Sequence, residues 1–279
     1  MTGANQPSDP DGPSTAEGDL PPGGEPERPE DYPVDWIQDR IETDRRQLSL
    51  LGEIREIVFG AQDGLVSTLA VVATVAGATS DQFAILIAGL ASAIAGIFSM
   101  AAGEYLGSKS QVEIFGSWVD AERREVERRP LESEAELAYL FVEEGMPQAE
   151  AREVAAMIGR HPDSLLATMV SKELGLIPDE HDETSGSPLR GSLFMGGSFA
   201  LGGVIPIVPF LFGGDLVALA WSTGVTGAAL FTLGAVKSRW TQRSWFVSGL
   251  EILSLAAVAG GAGYLIGGVL PAALGVVIP

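Results

Sequence analysis

The sequence predicts an all-α fold: a five-span transmembrane helical bundle with a cytoplasmic helical insert between spans 2 and 3. Three observations carry that reading. The apolar residues, 46% of a 279-residue chain, gather into five runs at about 57–78, 83–106, 192–212, 216–236 and 245–270. Each meets the roughly 20 residues that a helix needs to cross a hydrocarbon core of about 30 Å. The runs also lack the polar stripe at helical spacing that a soluble bundle keeps. Between the second and third runs, residues 107–190 turn charged while keeping helical patterning, so a polar helical unit interrupts the membrane part.

Taken in order, residues 1–34 are rich in Pro, Gly, Ser and acids, too polar to order a chain, and read as a disordered acidic tail. They lack the basic start and apolar core of a cleaved signal peptide. Residues 35–106 hold an N-terminal cytoplasmic helix and spans 1 and 2. The second span continues as one helix to Arg129, because no proline intervenes before Pro130. Within the insert, shorter helices are expected over 147–159 and 162–174. Spans 3 to 5 occupy 191–279, and Pro206 and Pro209 should bend or break the third.

Orientation follows from the basic residues, which cytoplasmic loops retain. Arg28, Arg40, Arg45, Arg46 and Arg55 precede span 1, the stretch from Lys109 to Arg190 separates spans 2 and 3, and Lys237, Arg239 and Arg243 separate spans 4 and 5. All seventeen Lys and Arg residues therefore fall on one side. The other side has only the turns Thr79-Ser80-Asp81 and Gly213-Gly214-Asp215 and the tail after Leu270. This places the N-terminus in the cytoplasm and the C-terminus outside, in the plasma membrane if the cell is prokaryotic.

The formal charge of −20 argues against nucleic acid as a partner, since that needs a basic face. With no cysteine there is no disulfide framework, thiolate metal site or Cys nucleophile. No catalytic residues are expected, and no permanently bound cofactor. The partners are the lipid bilayer and whatever ions pass through it.

Acids inside a span are costly and mark ion paths by default. Span 1 carries Asp63, and span 2 carries Met100 and Glu104. Counting the helical rise, Asp63 and Met100 each lie roughly 9 Å from the inner end of their spans and share one layer. Glu56, Asp63 and Ser67 form one polar face of the first helix; Ser92, Gly96, Met100 and Glu104 form one face of the second. Carboxylate and hydroxyl oxygens joined by a soft sulfur suit Fe²⁺ or Mn²⁺ better than Mg²⁺ or Ca²⁺. Blander readings stand beside this one: Asp63 capping a helix break at Gly64, Met100 as packing, Glu104 solvated at the interface. Glu251, at similar depth in span 5, is a proton relay or the partner of a basic residue. Gly60 and Gly64, and Ser99, Gly103 and Gly107, suit close packing within the chain or between two copies.

In the insert, Glu122 and Glu125 share a helical face, Glu132 and Glu136 share another, and Met169 and Glu173 are four apart. Such pairs can converge on a divalent cation, although any single one also reads as a solvated surface acid. Neither His161 nor His181 follows a Glu by three, which argues against a ferritin-like di-iron site.

The run Arg55-Glu56-Ile57-Val58-Phe59-Gly60-Ala61-Gln62-Asp63-Gly64-Leu65-Val66-Ser67, followed by Ala95-Gly96-Ile97-Phe98-Ser99-Met100-Ala101-Ala102-Gly103-Glu104-Tyr105-Leu106, resembles the vacuolar iron transporter family over roughly 50–270. The resemblance implies five spans, a homodimer with the pathway at its interface, a Glu-rich cytoplasmic domain, and export of Fe²⁺ or Mn²⁺ coupled to protons. It implies that Asp63 and Met100 are membrane ligands and that Glu56 is an acid near the cytoplasmic mouth. In the soluble domain it matches Glu122, Glu125, Met169 and Glu173, and leaves the second pair open among Glu132, Glu134 and Glu136. Ser92 and Val170 stand where the family pattern has acids. The alternative is a membrane-anchored metal sensor or ferroxidase-like protein without transport, in which residues 107–185 act alone.

Overall fold

The computed structural model describes residues 28–175, 187–241 and 243–274, with Pro21 and Pro26. Most of the acidic tail expected over 1–34, and His181, lie outside the described residues. The helices are α1 (Val34–Ala78), α2 (Gln82–Arg128), α3 (Pro130–Glu143), α4 (Gln148–Gly159), α5 (Pro162–Lys172), α6 (Pro188–Ile207), α7 (Leu216–Thr241) and α8 (Trp245–Leu274), with no strand among the described residues. Five segments are long and apolar enough to cross a membrane, and each contains or overlaps one of the five apolar runs. α2 has 47 residues, about 70 Å at 1.5 Å per residue, more than twice a hydrocarbon core. Its apolar part, 83–106, is the crossing; the charged remainder up to Arg128 belongs outside it.

The chain divides into two compact units, Met1–Ala102 with Gly191–Pro279, and Gly103–Arg190. In the first, α1 packs on α6, α7 and α8. Glycines set the approach: Gly60 lies against the Met195 carbonyl and Ser198, Gly64 against the Phe199 carbonyl, and Gly202 against the Ala61 backbone, while Gly263 and Gly267 of α8 meet α1 at Ala70 and Thr74. Lipid tails are as apolar as leucine, so backbone contact of this kind does the work that hydrophobicity does in water. The Gly60 and Gly64 pair is thereby used within the chain. Side chains at Gly103 and Gly107, by contrast, would meet nothing within 4 Å among the described residues.

A methyl group on Gly64 would collide with main-chain atoms of Phe199 and Gly203, so helices rather than a flexible side chain must give way. Gly64→Ala is expected to cost about 1–3 kcal/mol, read as a lower melting temperature in detergent. Gly52→Ala, at an exposed α1 position with open space, should raise it slightly through helix propensity.

The turns before α2 and α7 each carry an N-capping aspartate that accepts a main-chain N–H. Phe83 N–H donates to Asp81 Oδ1 at 3.0 Å, and Ala218 N–H donates to Asp215 Oδ1 at 3.0 Å. In α6 the expected disruption takes the form of a helix end. Pro206 sits in the last turn, the α-helix stops at Ile207, and a 3-10 turn, Val208–Leu211, follows. Carbonyls at the break find side chains: Ser222 Oγ donates to Pro206 O at 2.7 Å, and Gln82 Nε2 to Phe210 O at 2.8 Å.

The second unit wraps the end of α2, α3, α4 and α5 around Val126, Leu137, Phe141, Ala151, Leu165, Met169 and Val170. Gly145, at φ +100°, closes α3, with Met146 N–H donating to Phe141 O at 3.0 Å, a left-handed position that glycine adopts without steric cost. Lys172 ties α5 to the end of α3, with Nζ 2.6 Å from Glu144 and 4.8 Å above the Phe141 ring.

Candidate membrane path and carboxylate cluster

α1 is uninterrupted from Val34 to Ala78, so Asp63 lies mid-helix and does not cap a break at Gly64. Ser67 Oγ donates to the Asp63 main-chain carbonyl at 2.6 Å, and among the described residues the half-buried Asp63 carboxylate has no ion-pair partner. On α2, Ser92, Gly96 and Met100 are all half-buried, whereas Ile94, Phe98 and Ser99 are exposed; the four-residue repeat thus marks one register of the helix.

What joins the two helices is a single turn of α6. Met195 and Ser198 touch Gly60, the Phe199 carbonyl touches Gly64, the Phe199 ring fills the space beside Gly96, and Gly196 lies against Ala101. The turn from Met195 to Phe199 is therefore seated between 60–64 of α1 and 96–101 of α2, and Asp63 and Met100 fall at that one level. Sequence reasoning read α6 for its prolines and missed this role. The available signal was the run Gly191, Met195, Ser198 and Gly202, spaced three and four apart and small at every place but Met195.

Glu56 is half-buried, and a methyl group on Gly191 would come within 2.9 and 3.1 Å of its carboxylate oxygens; the absence of a side chain there makes room for the acid. Glu251 is exposed on α8, with the Arg243 guanidinium at 3.5 Å, so of its two sequence readings the structure supplies the basic partner. Glu104, in the second unit, accepts Ser108 Oγ at 2.7 Å.

The second unit gathers carboxylates from distant segments. Glu122 is 7% exposed, and among the described residues its Oε1 has no hydrogen-bond partner. Burial, followed by the charges of Glu173, Glu125 and Glu136, pushes its carboxyl up to about 7. Glu136 is raised by burial and then by Glu173, Glu125 and Glu132, with Arg129 opposing. Arg129 lies 4.0 Å from Glu125 and 3.1 Å from Glu132. Glu134 lies apart, over Gly159. Glu173 ends α5, its N–H donating to Met169 O at 2.8 Å, while the Met169 side chain is fully buried in the apolar cluster beside Val170. Among the described residues no three acids or histidines stand close enough to hold a metal ion. The cluster is one of mutual repulsion, without a closed ligand shell.

Five apolar helices long enough to cross a bilayer define an integral, multi-pass membrane protein, with acids and thioethers inside neighbouring crossings. Residues 54–268 match the VIT family. Vacuolar iron transporter 1 of Oryza sativa subsp. japonica is 31% identical over 212 residues, covering 76% of this chain and 82% of its own. Vacuolar iron transporter 2 of the same plant is 30% identical over 244 residues, 82% and 96% of the two chains. Vacuolar iron transporter 1 of Arabidopsis thaliana is 30% identical over 215 residues, 76% and 84%. The chain belongs to the vacuolar iron transporter family.

Proposed function

We propose that this chain exports Fe²⁺ or Mn²⁺ from the cytoplasm in exchange for protons, working as a homodimer. The observation that carries the reading is the common level of Asp63 and Met100 on either side of the Met195–Phe199 turn. The names of the relatives point to iron as cargo. A dication entering the membrane sheds water, and a carboxylate oxygen with a polarizable sulfur replaces part of that shell with a preference for borderline metals. The half-buried state of both helix faces in one chain suits a second copy completing the layer.

The acid cluster of Glu122, Glu125, Glu132, Glu136 and Glu173 collects the ion before it enters. Metal binding there expels protons, because the ligands must be charged. Glu56 and Glu104 each serve as carriers of counter-moving protons, as does Glu251 once Arg243 releases it. By the distribution of basic residues the N-terminus lies in the cytoplasm, with a plasma membrane as the site in a prokaryote.

The test is flux in proteoliposomes carrying an internal metal-quenched dye. Fe²⁺ and Mn²⁺ should enter faster than Zn²⁺ or Co²⁺, and an imposed pH gradient should change the rate with its sign. Metal binding by the purified chain without any flux would overturn transport in favour of a membrane-anchored sensor.

A further inference from the structure

From Leu216 to Leu250 the chain carries three basic residues, Lys237, Arg239 and Arg243, and no acid. Elsewhere near the membrane the two signs alternate: Arg40 lies between Asp39 and Glu42, Arg55 between Glu53 and Glu56, and Lys109 is 3.8 Å from Glu113. In a chain of formal charge −20, the joint between α7 and α8 is a local reversal of sign. Among the described residues neither Lys237 nor Arg239 has an ion-pair partner. Arg243 gives one nitrogen, Nη1, to Glu251 at 3.5 Å, and both side chains are exposed. An exposed pair at that distance contributes little, and a guanidinium has five N–H donors in a planar fork, so most of this one is still available.

Next to the charges lies a shelf of aromatic rings. Phe231 of α7 meets Trp245 and Phe246 of α8 edge-on, with centroids 6.0 Å apart in both pairs, and Trp245 and Phe246 stand 5.8 Å apart. Close backbone contact fixes the two helices here: Gly234 lies against the Ser248 carbonyl, and the Phe231 ring covers Gly249. Trp245 and Phe246 nevertheless remain 59% and 54% exposed. Lys237 follows Phe231 by six residues, about 9 Å of helix rise, which is comparable with the interfacial layer of roughly 5–8 Å on each side of a bilayer. Rings at headgroup level with basic residues just beyond them are the arrangement that a membrane boundary favours.

We propose that the α7–α8 joint binds one anionic phospholipid, with Lys237, Arg239 and the remaining donors of Arg243 on its phosphate and the Trp245 and Phe246 rings against its glycerol and upper acyl chains. Charge complementarity selects the occupant. A zwitterionic lipid brings an ammonium into a site of net positive charge, whereas a phosphatidylglycerol headgroup brings only the phosphate anion. Arginine takes phosphate through two parallel hydrogen bonds, and each basic residue at the surface adds to the attraction for anionic lipid. Membrane topology needs such charge only somewhere on this side; a headgroup needs it gathered beside a ring surface, as it is here. The inference rests on the membrane placement of α7 and α8 and requires neither the metal nor its direction.

Native mass spectrometry of the full-length, delipidated chain, titrated with dioleoyl-phosphatidylglycerol and separately with dioleoyl-phosphatidylcholine, tests it. One phosphatidylglycerol per chain should bind at least about tenfold more tightly than phosphatidylcholine. Arg239→Gln should weaken it about fivefold, and Lys237→Gln, Arg239→Gln and Arg243→Gln together about a hundredfold, with phosphatidylcholine binding unchanged. Arg45→Gln with Arg46→Gln, which removes two charges from the N-terminal part of α1, should leave it as in the parent. Equal affinity for the two lipids, or a triple variant that keeps the preference, overturns the site. A loss in the α1 control as large as that in Arg239→Gln overturns it too, because the attraction would then be diffuse. If inorganic phosphate at the lipid's own concentration displaces it, the ligand is a free anion and the lipid assignment fails. Arg239 is exposed near the end of α7, so the single variant reads the site even where the triple variant fails to fold.

Discussion

Asp63→Ala is expected to lower metal-driven flux in proteoliposomes by at least about a hundredfold, near 2.7 kcal/mol of lost stabilisation, and Met100→Ala by about tenfold. The difference follows from what each side chain supplies. Asp63 offers a carboxylate oxygen to the ion in a low-dielectric layer, where an unmatched dication is worst off. Met100 carries a neutral sulfur whose contribution is preference for soft or borderline ions. Charge and shape can be separated: Asp63→Asn keeps the volume and should lose nearly as much flux as alanine, whereas Met100→Leu keeps the packing and should change the ratio of Fe²⁺ to Mg²⁺ entry more than the maximal rate. Asp63 lies mid-helix and half-buried, so these variants should melt within a few degrees of the parent. Normal flux after Asp63→Asn in such protein would mean that the ion passes elsewhere.

The crossings were legible because hydropathy is a local quantity: twenty apolar residues leave a helix few alternatives. That Asp63 and Met100 fall at one level of their helices was legible too, since a helix rises by a fixed amount per residue. What brings the two levels together was not, because the Met195–Phe199 turn comes from nearly a hundred residues later and acts through backbone contact at Gly60 and Gly64. The Asp63-Gly64 pair carries the local chemistry of a helix end, yet tertiary packing on α6 and α8 keeps α1 continuous. Spacing placed Met169 and Glu173 on one face; the structure buries the first in an apolar core and leaves the second exposed at the helix end. Val170, where the family pattern has an acid, is 2% exposed in that same core. The pair Arg243 and Glu251 was readable as one of two options, and only the fold of the loop before α8 brings the guanidinium within 3.5 Å.

The second large effect concerns pH. Glu122 titrates at about 7 in the fold against 4.5 ordinarily. Between those values the folded unit holds a proton that the unfolded chain has released, so the native state binds more protons and stability falls as pH rises through this window. Glu136 is displaced in the same direction and adds to the slope. In metal-free buffer, hydrogen exchange of α3 and α5 peptides should therefore be slowest near pH 5 and, after correction for the intrinsic rate, quicken by pH 8. Glu122→Gln removes the titrating charge while keeping its shape, so the variant should be the better protected of the two at pH 8 and keep only the slope that Glu136 contributes. Mn²⁺ acts on the same repulsion: at about 100 times its dissociation constant a ligand stabilises by roughly 2.7 kcal/mol, which should restore protection to the parent at pH 8 and do much less for Glu122→Gln. Exchange that is independent of pH in the parent would mean that burial and the neighbouring glutamates do not hold the proton. A full Mn²⁺ response in the glutamine variant would remove Glu122 from the ligand set while leaving the repulsion argument standing, so the two halves of the prediction fail separately.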